Sequence, residues 1–241
     1  MIEYLKTRLG IIIVSVIIAV AIFIHKNKTF AQCPDNMVKI NEFCIDKYEA
    51  PNKKGAFPLI MFSKIQAEKW CKYRNKRLCF DDEWTRACQG PNNYPYPYGN
   101  KLVKGQCNDN QIGLFRNIDA HKQHYWPEHI SSSIYVQYYE QQYNLAKAYS
   151  SHASTSADYI DFLYKAKPSG HKTTCKSHEG VYDLMGNVEE WTQRRHHTRK
   201  NFTGKLKGRF WAESYSCNQS VTNHADGFNM YETGFRCCAD L

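Results

Sequence analysis

Residues 180–192 read GVYDLMGNVEEWT. Gly180, Gly186 and Asn187 are residue types that tolerate left-handed backbone, so the first half of the segment predicts a turn. Val188 and Trp191 suit a half-buried pleated strand, and two carboxylates, Glu189 and Glu190, fall beside them. The segment therefore reads as turn and then strand with an acidic end. Downstream, GRFW at 208–211 and GFRCC at 234–238 have the look of late core strands. Glycines and aromatics separated by long loops do not give the regular spacing of a helical bundle or a β-sandwich.

Upstream, two helices precede the turn. Ser63 is a plausible N-cap for IQAEKWCKYRN, with Ile65, Trp70 and Cys71 as its apolar stripe. A second helix follows KRLCF: Asp81 can cap it, Glu83 suits the first-turn dipole, Trp84, Ala87 and Cys88 face inward, and Gly90 and Pro91 end it. Before both helices, CPDNMVKINEFCIDKYE at 33–49 predicts short strands around a turn at Asn41, with Cys33 and Cys44 at the ends of the piece and able to pair. Residues 91–110 are rich in turns. Residues 111–170, full of Tyr, His, Gln, Ser and Ala, read as an elaborated loop region over the core, with a helix possible over 136–149. No internal repeat is present.

The N-terminus has a separate character. Lys6 and Arg8 precede an uncharged apolar run, Leu9 to Ile24. That pattern predicts a secretory signal peptide or an uncleaved signal anchor occupying residues 1–31, an N-terminal hydrophobic helix in either case. The run is short for a span, whereas Lys26 and Lys28 are unusual ahead of a cleavage site, so both readings stand. Either puts residues 32–241 outside the cytoplasm, periplasmic or secreted, with a membrane contact through residues 9–24 if the segment is retained. Ten cysteines follow the apolar run. An even number in an exported chain reads as a disulfide framework, and no CxxC pair supports structural zinc.

The chain carries 32 Lys and Arg against 23 Asp and Glu, a net charge of +9. Setting aside residues 1–31, which hold four basic residues and one acidic, leaves +6. This mild excess favours anionic surroundings. Nucleic acid is not an expected partner of an exported chain. At 42% apolar and 14% aromatic the body can bury a real core.

Four segments in order resemble the formylglycine-generating, or sulfatase-modifying factor, enzyme family. CPDNMVKINEFCIDKYEAPN resembles its first strand pair. AEKWCKYRNKRLCFDDEWTRACQG resembles its two-helix signature, GVYDLMGNVEEWT its G-(L/V)-Y-D-(M)-x-G-N-V-x-E-W motif, and LKGRFW through TGFRCC its terminal segments. The resemblance implies an α+β fold: compact, irregular, related to C-type lectins and held by disulfides and calcium. It implies pairing of Cys71 with Cys237 and of Cys88 with Cys217, leaving Cys79 with Cys238 and Cys107 with Cys175 by elimination. A link closing more than 100 residues contributes about 4–5 kcal/mol in the chain-entropy view. It also implies a structural calcium site made by the Asp183 side chain, the carbonyls of Gly186 and Val188, and the Glu190 carboxylate, hard oxygens of the kind calcium requires. The competing reading makes Asp183 a turn acid and Glu190 an ion-pair partner.

The sequence departs from the enzymes at their chemistry. They oxidise a substrate cysteine with two copper-binding cysteines lying between the terminal motifs. The corresponding interval here, AESYS at 212–216, has no cysteine, and Cys217 matches the later structural one. No redox metal is expected on that ground. His121, His124 and His129 are spaced so that they can ligate iron, zinc or copper, or can be surface histidines of a polar loop. RRHHTRK at 194–200 can grip an anion or simply be solvated. The expectation is a non-catalytic module with an extracytoplasmic protein or glycan ligand, contacted by residues such as Tyr125, Trp126, Tyr138 and Tyr139. The alternative is a metal-dependent oxidoreductase or protein-modifying enzyme of the same superfamily.

Overall fold

The computed structural model describes residues 32–110, 165–212, 215–230 and 232–241. The N-terminal apolar run, most of the 111–170 region, the helix over 136–149, His121, His124, His129 and the four aromatics just named lie outside the described residues. Among the described residues no helix is long and apolar enough to cross a membrane.

The first hairpin forms from β1 (Met37–Ile40) and β2 (Phe43–Asp46), antiparallel, with Asn41 at φ +50° in the turn. Helix α1 (Lys64–Lys72) follows, then β3 (Arg77–Leu78) and helix α2 (Asp81–Gln89). Strand β4 (Glu189–Gln193) continues directly from the 180–188 turn. It is followed by β5 (Gly204–Lys207), β6 (Ser220–Val221), β7 (Thr233–Phe235) and β8 (Cys237–Asp240). The strands make two four-stranded sheets, ordered β1-β2-β8-β3 and β6-β5-β4-β7. The fold is thus mixed α and β with short elements. All pairings are antiparallel except β4 with β7.

Each sheet has its own apolar cluster. Ile40, Phe43, Ile45, Trp84, Val181 and Leu184 pack between the first sheet, α2 and the central turn. Phe62, Ala67, Leu78, Trp191, Leu206 and Phe235 pack between α1 and the second sheet. Five disulfides bind these pieces: Cys33–Cys44, Cys71–Cys237, Cys79–Cys238, Cys88–Cys217 and Cys107–Cys175. Adjacent cysteines 237 and 238 point to opposite faces of β8, as successive strand residues must, and so reach different partners. Five disulfides indicate an oxidising, extracytoplasmic setting.

Three local expectations need correction. GRFW at 208–211 is not a strand: β5 ends at Lys207, and Gly208 and Arg209 have φ of +81° and +58°. A Cβ on Gly208 would meet the Leu184 carbonyl at 2.9 Å, so the chain turns there because only glycine fits. Ile65 does not belong to the buried stripe of α1. It is 46% exposed, and the buried residues are Lys64, Ala67 and Cys71, with Ser63 completing a capping box with Gln66. Asp81 does not cap α2. The N-cap is Phe80, whose N–H donates to Glu83, while Asp81 is the first helical residue and pairs with Lys205.

Lys207 is buried beside Trp84, 5.3 Å from the ring centroid, and donates to the Cys217 carbonyl at 2.8 Å. Burial, with Lys205 nearby, pulls its pKa down to about 8, against the attraction of Asp81. The unfolded chain therefore holds more protons than the folded one between about pH 8 and the ordinary lysine range, and stability rises with pH across that window. The unfolding free energy from urea titrations should increase between about pH 7.5 and 9.5 by about 2 kcal/mol, and Lys207→Met should flatten the rise. An unchanged slope in the variant would show that another group titrates.

Candidate functional site: a buried carboxylate cluster around Arg236

The 180–188 turn is set by its backbone. Asp183, Gly186 and Asn187 all have positive φ, at +58°, +74° and +57°. Gly186 has no substitute, because a Cβ there would lie 2.3 Å from the Asn108 carbonyl oxygen. The close approach aligns Asn187 to receive and give hydrogen bonds on every side. Its N–H donates to Asn108 O, its side-chain oxygen accepts from Asn108 and from the Lys167 N–H, and its amide nitrogen donates to Glu49 at 2.9 Å.

The turn delivers Asp183 and Glu190 to a cluster that also contains Glu49 and Arg236, each no more than 4% exposed. Arg236 sits between β7 and β8 and donates from Nε and Nη2 to Glu190 at 2.7 and 2.6 Å. The same guanidinium reaches the carbonyls of Asp46 and Tyr182. Trp84 Nε1 donates to Glu190 Oε2 at 2.7 Å. Asp183 accepts from the Gly170 N–H at 2.6 Å, and Glu49 accepts from Ser169 Oγ at 2.7 Å. The fourth acid nearby, Asp46, is matched by Lys76 at 2.5 Å.

Three carboxylates thus face one guanidinium. Burial, then the charges of Asp183 and Glu190, push Glu49 well above the usual carboxylate range, with Arg236 and Ser169 opposing. Burial raises Asp183 to about 7, opposed by the Gly170 N–H and Arg236. Burial is the larger cause of both shifts, and the charge of Glu190 adds to it.

The four expected calcium ligands therefore lie in and beside one turn, but they are not equally available. Glu190 spends both oxygens on Arg236 and Trp84. Among the described residues no three His, Cys, Asp or Glu side chains converge to hold a metal alone. A calcium ion would have to draw on backbone carbonyls together with Asp183. The donor set is hard oxygen with surplus negative charge, and in that respect it fits the ion.

Other candidates are placed as follows. Ala212, the first residue of the 212–216 interval, is buried, as is Trp211 before it, and Cys217 just after the interval is bonded to Cys88. In the basic run, Arg194 donates to the Gly204 and Thr222 carbonyls, and Arg195 pairs with Asp82 at 2.6 Å and lies 4.0 Å over the Phe80 ring, while residues 196–200 are exposed. Glu49, Asn187, Ser169 and Arg236 are members of the cluster that sequence reasoning missed. The signal was present for two of them: Glu49 follows Tyr48 and precedes Ala50-Pro51, and Arg236 lies between Phe235 and Cys237, charged residues inside otherwise buried runs.

Residues 50–241 match the model of the sulfatase-modifying factor enzyme 1-like domain, and the chain belongs to that family. Among solved structures it is similar to PvdO from Pseudomonas aeruginosa, with 14% identity, a TM-score of 0.48, and coverage of 83% of this chain and 80% of that one. It is similar to CarF at 14% identity and TM-score 0.48, covering 83% of this chain and 86% of that one. It is also similar to Treponema denticola variable protein 1 at 12% identity and TM-score 0.45, covering 89% and 94%. No curated protein sequence matches the chain.

Removing one partner of the Arg236–Glu190 pair leaves a buried charge alone. Arg236→Met should lower unfolding free energy by about 3–5 kcal/mol, and Glu190→Gln by a similar amount, whereas the double variant should lose less than the sum. Urea denaturation of the three oxidised variants measures this, and strict additivity would mean that the pair is not coupled.

Proposed function

We propose that this chain is a non-catalytic binding or scaffold module on the sulfatase-modifying-factor fold, acting outside the cytoplasm on a protein or glycan ligand. The observation that carries the reading is the state of the cysteines: all ten lie in five disulfides. Thiol-based oxidation of a substrate cysteine requires a free thiolate to hold soft copper and to exchange with substrate. Cys217, the cysteine nearest the expected position, is 1% exposed and ties α2 to the late strands. The domain is periplasmic or secreted, and tethered to the membrane if residues 9–24 are retained.

Calcium is the second part of the proposal. The three clustered carboxylates share one cationic side chain, Arg236, and a divalent cation offsets the remaining negative charge. Asp183 and the carbonyls of Gly186 and Val188 would hold it, with Glu190 alongside in its pairing with Arg236. The ion would supply structural cross-linking of the turn to the sheets, with Asp183 and Glu49 ionised around it.

Two measurements test the reading. Elemental analysis of the purified oxidised chain, before and after chelation, should find roughly stoichiometric calcium and a lower Tm once it is removed. Iron or copper near one per chain would sink the non-catalytic reading. Incubation with a cysteine-bearing sulfatase peptide, oxygen and copper should leave the peptide thiol unchanged by mass spectrometry, and conversion to the aldehyde would overturn the proposal directly.

A further inference from the structure

The exposed face of α1 borders a cavity of about 550 Å³. Ile65, Glu68, Lys69 and Lys72 line one wall, residues spaced by three and four and so on one face of the helix. Lys76, Arg77, Leu78 and Phe80 form the other wall, and Gln193 closes the end. The floor is the seam between the two sheets, where the Gln193 N–H donates to Cys79 O at 2.8 Å and Phe80 bridges to Gln193. The size is that of a ligand pocket.

Three features of the groove are unmatched within the fold. The first is apolar: Ile65 stands 46% exposed against Leu78 and Phe80, where the helix pattern would have buried it. The second is charge. Glu68 is answered by Lys64, Lys76 by Asp46, and Arg77 by Glu83 and Asp240. Lys69 and Lys72 are exposed and have no ion-pair partner among the described residues. Arg195 extends the basic border by stacking on Phe80. The third is a hydrogen bond: Gln193 Nε2 is committed to the Arg194 carbonyl, and Gln193 Oε1 is buried with no donor. A buried acceptor without a donor is costly, and a ligand N–H or O–H relieves it.

We propose that this groove binds an extended acidic peptide segment of a partner protein. An apolar side chain of that segment rests on Ile65, Leu78 and Phe80, a carboxylate meets Lys69 and Lys72, and a backbone N–H donates to Gln193 Oε1. A peptide supplies all three groups in one ligand, whereas an anionic lipid chain supplies charge and apolar surface but no donor. The inference rests on the binding-module reading and names its partner chemistry and its site. It moves the site from the long loops to a helix-and-strand groove, where rigid elements fix the geometry.

The test uses the full chain, purified with its disulfides intact. Fluorescent peptides with a central Leu, Phe or Tyr flanked by Asp and Glu are titrated by anisotropy, beside the same peptides flanked by Lys and beside laurate as a displacing probe. Saturable binding of the acid-flanked peptides, absent for the Lys-flanked set and weakened by a central Gly, is expected. Lys69→Glu with Lys72→Glu reverses two exposed charges in the last turn of α1, where cations favour the helix, so the Tm should fall slightly, while the acidic peptides should weaken by about tenfold. Gln193→Leu should weaken them several-fold without changing the salt dependence. Acid-flanked peptides that bind the double variant as tightly as the parent, or that bind neither, overturn the proposal. So does laurate binding that acidic peptides fail to displace, since the occupant is then a lipid anion. Aldehyde formation on a sulfatase peptide would remove the non-catalytic reading while leaving the groove affinities to be judged by the variants alone.

Discussion

Arg236 is the point through which the two halves of this fold are joined. Its backbone separates β7 of one sheet from β8 of the other, and its side chain pairs with Glu190 on β4, the strand beside β7. The same guanidinium binds the carbonyl of Asp46 on β2 and that of Tyr182 in the central turn, while Trp84 of α2 shares the Glu190 carboxylate. One planar cation therefore gathers two sheets, a helix and a turn, which a lysine with its single ammonium would not do. A buried pair of this sort adds little net stability over an apolar replacement, but it leaves few other arrangements of the strands in which both charges are satisfied.

The disulfides act on the same junction from outside it. Cys237 and Cys238 follow Arg236 immediately and reach in opposite directions, to α1 through Cys71 and to the segment after β3 through Cys79. The chain's last strand is thereby fastened to α1 and to the segment that leads into α2 at the place where the buried ion pair forms. A short-stranded, loop-rich domain has few ladder hydrogen bonds per element, and covalent links that close long loops compensate for them in the unfolded state. All ten cysteine sulfurs are committed to these links.

The carboxylate cluster and the α1 groove show opposite charge imbalances. Inside, Glu49, Asp183 and Glu190 exceed the positive charge available. Outside, Lys69 and Lys72 have no acid to meet. The two proposed occupants answer these imbalances differently: a compact hard cation for the cluster, an extended anion for the groove.

Much of this was legible in the sequence because it depends on local chemistry. The Asn41 hairpin, the Ser63 cap, the Gly90 stop and the turn at Gly186-Asn187 follow from backbone preferences that act over a few residues. Family membership followed from motifs that preserve those preferences in order. The even cysteine count and apolar N-terminus gave an oxidising destination. What lay beyond the sequence was everything set by approach of distant segments. Asp81 has the chemistry of a cap but is drawn to Lys205. Ile65 fits a helical core stripe, yet the sheet presents its surface to Ala67 and Cys71. GRFW has strand residues, but Gly208 and Arg209 take left-handed backbone beside the Leu184 carbonyl, and the strand ends at Lys207. Glu49 and Arg236 stand 187 positions apart in the chain, and only the folded sheets bring their charges into one dry cluster, where burial rather than residue type decides what each can do.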